Sequence, residues 1–279
     1  MRKSYHFTFI MLLLAIIATC CNMSSFSKGT RDQSTYLTTD SHQDQDKKKQ
    51  TQLSFDIPLP LKDKAEQILQ RKGYFVSYNK DTKIPNWVAW HLTADHVDGV
   101  VKRPGNAWHE DEDVPKPRAT RIDYRGSGWT HGHMCPAGDN KWSSEAMYDT
   151  FLMTNCCPQH AKLNSGDWNE IEMACRRWAK KFGDVYIVCG PILFRQEHKT
   201  IGENKVVVPE AFFKVVVCLN DKPKGIGFIC RNTAGNRPKD FYVNSIKQVE
   251  RITGMTFFPN LPPDIKKIVK ENADLEDWK

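Results

Sequence analysis

The sequence predicts an α+β domain, on three observations. Short aromatic and β-branched runs cluster together, helical composition is confined to two late segments, and no strand–helix–strand repeat alternates along the chain. Tyr74-Phe75-Val76-Ser77-Tyr78 and Trp87-Val88-Ala89-Trp90-His91-Leu92 read as strands, with Asn79-Lys80-Asp81 and Pro85 forming the loop between them. Residues 126–139 hold four glycines and a proline, which predicts a tightly turning loop of the kind that carries functional side chains. From Gly166 to about Lys181 the composition is helical, and Ser165 and Asp167 are placed to cap its start. Val185-Tyr186-Ile187-Val188-Cys189 is an apolar run stopped by Gly190-Pro191, hence a buried strand. Val206-Val207-Val208, residues 212–219 and residues 225–230 add three strands. Residues 243–253 read as a helix closed by Gly254.

With 279 residues, 40% of them hydrophobic, the chain can bury a full core. Its 26% charged content is ordinary for a soluble protein. The net charge of +7 mildly favours anionic partners such as nucleic acid, although many exported proteins are modestly basic without a specific partner.

The N-terminus predicts export. Arg2 and Lys3 precede an uncharged apolar stretch, residues 7–18, which is too short for an ordinary spanning helix and reads as a secretory signal. It ends in Ile17-Ala18-Thr19-Cys20-Cys21, which resembles a lipoprotein cleavage box with Cys20 as the lipidated residue. Residues 1–20 are thus the signal, 21–52 a flexible polar tether containing Lys47-Lys48-Lys49, and 53–279 the globular domain. Removing Arg2 and Lys3 leaves 38 basic residues against 33 acidic, about +5. Seven of the nine cysteines lie beyond the signal, an odd number that cannot all pair within one chain. Cys189 and Cys218 sit in apolar runs and read as small buried hydrophobes.

Two polar constellations carry candidate chemistry. In the first, His131 and His133 stand two apart, with Cys135 after them. They could be zinc ligands, completed by one of Cys156, Cys157 or His160, or they could include a general base. The second runs through Thr154-Asn155-Cys156-Cys157-Pro158-Gln159-His160 to Leu163-Asn164, and on to Glu172 and Arg176. Trp168, Glu172 and Arg176 are spaced four apart and share a helix face, with Asn164 just before it. An amide oxygen and a carboxylate suit a hard cation, and a guanidinium suits a phosphate. The same residues also read as a capping asparagine followed by a surface Glu–Arg pair.

Together these segments resemble the non-specific DNA/RNA endonuclease family, the ββα-metal nucleases that include endonuclease G. The matches are Gly132-His133, Thr154-Asn155 with Pro158-Gln159, and Leu163-Asn164 with Gly166, Trp168 and Glu172. Flanking matches add Trp87-Val88-Ala89, Val188-Cys189-Gly190-Pro191, Pro209 with Phe212-Phe213-Lys214, and Glu250 with Thr253-Gly254, so the resemblance spans residues 74–262. Several ordered matches are far more specific than one short motif. Where the family has Asp-Arg before Gly-His, this chain has Thr130-His131.

The resemblance implies a central antiparallel sheet flanked by helices. It implies His133 as general base and Asn164 as the single direct protein ligand of a hydrated Mg²⁺, with Mn²⁺ as an alternative. Glu172 would orient metal-bound water, and Arg103 and Arg176 would contact phosphate. His131 would stand in for the absent arginine as a pH-dependent donor. The implied partners are DNA and RNA, held through their phosphate backbones with little sequence preference, and cut to 5′-phosphate and 3′-hydroxyl ends. The family pattern also allows a homodimer. Two alternatives stand beside this reading: a zinc-binding protein, and a catalytically inactive nucleic-acid-binding relative.

Overall fold

The computed structural model describes residues 57–279 other than Asn106 and Asp221. The expected signal with Cys20, the tether 21–52 and its boundary with the domain all lie outside the described residues. The strands are β1 (Gln67–Gln70), β2 (Phe75–Asn79), β3 (Ile84–Thr93), β4 (Thr130–His133), β5 (Cys156–Gln159) and β6 (Asp184–Ile192). They continue with β7 (Thr200–Ile201), β8 (Val206–Val207), β9 (Ala211–Cys218), β10 (Lys224–Arg231) and β11 (Val243–Asn244). Seven of them form one antiparallel sheet in the order β1-β2-β3-β6-β9-β10-β11. The expected α+β class, with a central antiparallel sheet flanked by helices, is what the structure has.

Side chains alternate across this sheet. From β9, Phe212, Val216 and Cys218 pack on one face with Trp90, Ile187 and the helix residues Trp168, Ile171 and Cys175. Phe213, Val215 and Val217 pack on the other face with Trp87, Ile246, Val249, Phe257 and Val269. Because both faces are covered, the central strands are apolar throughout, which is why their sequence reads as runs rather than as alternation.

Four local expectations need correction. Gly190-Pro191 does not stop β6, which runs on to Ile192. The β3 pairing ends at Val88↔Cys189, so Pro191 is paired only with Phe212 of β9, and its missing N–H costs no ladder bond on the β3 side. Pro85 lies inside β3, opposite Tyr78, where the β2–β3 register shifts and relieves the demand for its N–H. Val243 and Asn244 pair with β10 as an edge strand. The following helix begins only after Ser245, whose capping box with Gln248 sets the start at Ile246. Ser165 and Asp167 do not cap the long helix Asp167–Phe182. Residues Ala161–Ser165 form a separate short helix, and the chain turns at Gly166, where a Cβ would lie 2.5 Å from the Lys162 carbonyl oxygen. Asp167 instead accepts hydrogen bonds from Asn236 N at 2.6 Å and Tyr242 OH, tying a distant loop to the helix start.

Residues 126–139 are also more regular than a loop. β4 pairs with β5 in a two-stranded ribbon, setting His133 opposite Cys156. Gly132 is required by close approach, since a Cβ there would meet Gln159 Oε1 at 2.3 Å. All seven described cysteines are buried and unbridged, Cys189 and Cys218 among them.

Candidate active site

Ribbon, short helix and long helix surround an open cavity of about 1020 Å³. His133 enters from the end of β4, Asn164 from the short helix, Glu172 and Arg176 from successive turns of the long helix, and Arg103 from the chain ahead of Trp108. Five of the six residues named from sequence thus line one cavity. Lys102, Lys141 and Asn169 line it too, adding positive charge and an amide.

His133 is 9% exposed, edge-on to Phe151 at 5.1 Å and tilted against Trp108 at 4.4 Å. Phe151 also carries the Arg103 guanidinium over its ring at 5.2 Å, so one aromatic side chain braces two cavity groups. Burial first, then Arg103 and His131, push the His133 imidazole down to about 3. Its ring is therefore neutral at physiological pH, the state a base needs. An anionic phosphate bound nearby would raise its proton affinity toward the working range.

Asn164 is oriented by its amide nitrogen, which donates to Thr130 Oγ1 at 3.1 Å and to the His131 carbonyl at 3.3 Å. Its Oδ1 is left without a hydrogen bond among the described residues. Glu172 likewise has no hydrogen-bonded partner among them. Burial raises its carboxyl to about 7, while Lys214 opposes that rise. Two uncommitted oxygens, one amide and one carboxylate, on one cavity suit a hydrated hard cation. Among the described residues no group of three His, Cys, Asp or Glu side chains is arranged to hold a metal ion, so the suggested zinc set of His131, His133 and Cys135 is not assembled.

His131 departs from its sequence-based role. It does not line the cavity but is stacked between Tyr124 at 4.1 Å and Trp108 at 5.0 Å. Burial, and then Arg121, push it down to about 4, so it is uncharged where a phosphate donor would have to be charged. The cavity takes its guanidiniums from Arg103 and Arg176 instead. A histidine held neutral by the fold takes up a proton more readily once unfolded, near pH ~6.5. Its contribution to stability is present above that value and is lost as pH falls through about 4. His131→Phe, which keeps the stack, is expected to flatten the fall of Tm between pH 6.5 and 4. Parallel Tm–pH curves for the two proteins would reject this account.

Sequence reading gave no role to two buried charges beside the cavity, Lys214 and Asp139. Lys214, 1% exposed, lies on β9 with its ammonium over Trp168 at 4.6 Å and Trp90 at 4.9 Å. Burial lowers its proton affinity, but Cys189, Glu172, Cys175 and Asp139 outweigh that and hold it raised. A single charge inside the apolar run Phe212-Phe213-Lys214-Val215 was the available signal, because a buried cation must be compensated. Asp139, 2% exposed, accepts from Arg176 Nη1 at 2.8 Å and from Trp90 Nε1 at 3.1 Å.

Topology and ribbon–helix arrangement are those of the ββα-metal nucleases. Residues 57–264 match the family described as DNA/RNA non-specific endonuclease. The chain is 37% identical over 216 residues to the mitochondrial nuclease EXOG of Homo sapiens, covering 70% of this chain and 58% of that protein. It is 36% identical over 214 residues to nuclease C1 of Cunninghamella echinulata var. echinulata, covering 71% and 84% respectively. It also resembles a crystal structure of the EndoG/EndoGI complex, with a TM-score of 0.69 and 27% identity over 75% of this chain and 92% of the other. The chain belongs to the DNA/RNA non-specific endonuclease family. It spans 58% of the length of the human EXOG nuclease that it matches.

Proposed function

We propose that this protein is an exported, Mg²⁺- or Mn²⁺-dependent endonuclease that hydrolyses DNA and RNA with little sequence preference, leaving 5′-phosphate and 3′-hydroxyl ends. The observation that carries the reading is the convergence of His133, Asn164, Glu172, Arg103 and Arg176 on one cavity. His133, neutral and braced by Phe151 and Trp108, takes the proton from the water that attacks phosphorus. The P–O3′ bond breaks on the opposite side, and the departing 3′ oxygen takes a proton from water in the open cavity to become the 3′-hydroxyl. Asn164, its amide nitrogen tied to Thr130, would hold the cation through Oδ1, and Glu172 would orient water around it. Bound there, the cation would neutralise charge developing on the phosphate. Arg103 and Arg176 hold and polarise the phosphate oxygens. Because these groups read only the backbone, DNA and RNA of any sequence fit alike.

Digestion of supercoiled plasmid and of a long RNA tests the reading. Both are expected to be cut with Mg²⁺ and to survive in EDTA. Folded protein that cuts neither with any divalent cation would favour the inactive, nucleic-acid-binding alternative.

Export through the signal and anchoring through Cys20 belong to the same proposal and rest on the sequence of residues 1–20. Cys20→Ser is expected to release the protein from the membrane fraction, with Cys21→Ser as the control. Unchanged membrane association in the Cys20 variant would sink the anchor.

A further inference from the structure

Arg176 does not reach the cavity as a free surface side chain. Its guanidinium passes over Gly138, where a Cβ would lie 2.8 Å from Nη1, so any side chain there would push the guanidinium off this path. Beyond it, Arg176 Nη1 donates to Asp139 Oδ1, and the other oxygen, Oδ2, accepts from the indole of Trp90 on β3. Both carboxylate oxygens are thus committed, one to the arginine and one to the central sheet. Trp90 is itself buried, 3% exposed and packed against the Lys214 ammonium. The linkage runs sheet–indole–carboxylate–guanidinium–cavity, and it fixes where the remaining Arg176 donors point.

We propose that Asp139 is a positioning residue for phosphodiester cleavage, clamping Arg176 so that its unpaired N–H groups face the scissile phosphate. This rests on the reading of Arg176 as a phosphate contact. A guanidinium anchored on a buried carboxylate meets the transition state without first being ordered, which is what preorganised electrostatic stabilisation requires. Asparagine at position 139 has nearly the same shape but cannot satisfy both neighbours. Its oxygen can face Arg176 or Trp90, and its NH₂ then opposes the other donor. Lys214 and Glu172 are close enough for a charge change at Asp139 to act through them instead, so the test must isolate the arginine.

The test is a double-mutant cycle on the full protein with Mg²⁺, read as single-turnover cleavage with enzyme in excess. Asp139→Asn is expected to lower the single-turnover rate constant at saturating enzyme by about 10- to 100-fold, with little change in the enzyme concentration that gives half of it, as a misplaced catalytic group does. In the Arg176→Met background the same substitution should change the rate by less than about twofold, because there is nothing left to clamp. An equal loss in both backgrounds would show that Asp139 acts through Glu172, Lys214 or the fold, and would overturn the proposal. So would the absence of any loss in either background. Full-rate cleavage by Arg176→Met alone would instead remove Arg176 from the phosphate, a separate failure of the underlying reading. Trp90→Phe, which releases Oδ2 while keeping a ring under Lys214, carries the same cycle if Asp139→Asn does not fold.

Discussion

His133→Ala is expected to slow cleavage by about 10²–10⁴-fold, the usual cost of losing a general base. Among the described residues His133 is the only imidazole lining the cavity, so no neighbouring ring among them is placed to take over proton removal. The fold should survive, because the lost ring faces an open cavity and Phe151 and Trp108 retain their contact with each other at 5.4 Å. Affinity for nucleic acid in EDTA should be nearly unchanged, since Arg103, Arg176, Lys102 and Lys141 all remain. Initial rates and binding isotherms on both proteins check this. A folded variant with full activity would remove His133 from the mechanism.

Loss of cation handling is the second large effect. Asn164→Ala should raise the Mg²⁺ concentration for half-maximal rate and lower the rate at saturation, because the oriented amide oxygen is gone. Glu172→Gln should shift the Mg²⁺ requirement by about 10- to 100-fold, the range typical of residues that orient a cation's ligands. The pH profile separates the roles. Burial raises the Glu172 carboxyl to about 7, so its charged form is populated only as pH climbs through that value. The His133 imidazole, held near 3, is already unprotonated there and does not shape that limb in the free enzyme. Activity at limiting Mg²⁺ is therefore expected to rise through about pH 7 in the parent protein and to lose that limb in Glu172→Gln. Coincident Mg²⁺ titrations for parent, Asn164→Ala and Glu172→Gln would mean that the cation binds elsewhere.

Much of this was legible in the residues themselves. Strand identity follows from aromatic and β-branched runs, the long helix from its helical composition, and the shared face of Trp168, Glu172 and Arg176 from their spacing, because all three depend on neighbours in the chain. The order of Gly132-His133, Leu163-Asn164 and Glu172 pointed to the family, and the cavity contains all three polar side chains. The extension of β6 through Pro191 was not legible, because it depends on β3 ending at Val88↔Cys189 while β9 continues. Nor was the division of labour between His131 and His133. The two lie on one face of β4, yet only His133 reaches the cavity, since Tyr124 and Trp108 enclose the other ring. The Asp139–Arg176 clamp joins residues 37 apart, and Lys214 is compensated from other strands and a helix. A sequence names the groups able to carry a charge or a proton. Which of them stay charged, and where they point, is set by desolvation and contacts from distant segments, so only the folded chain decides it.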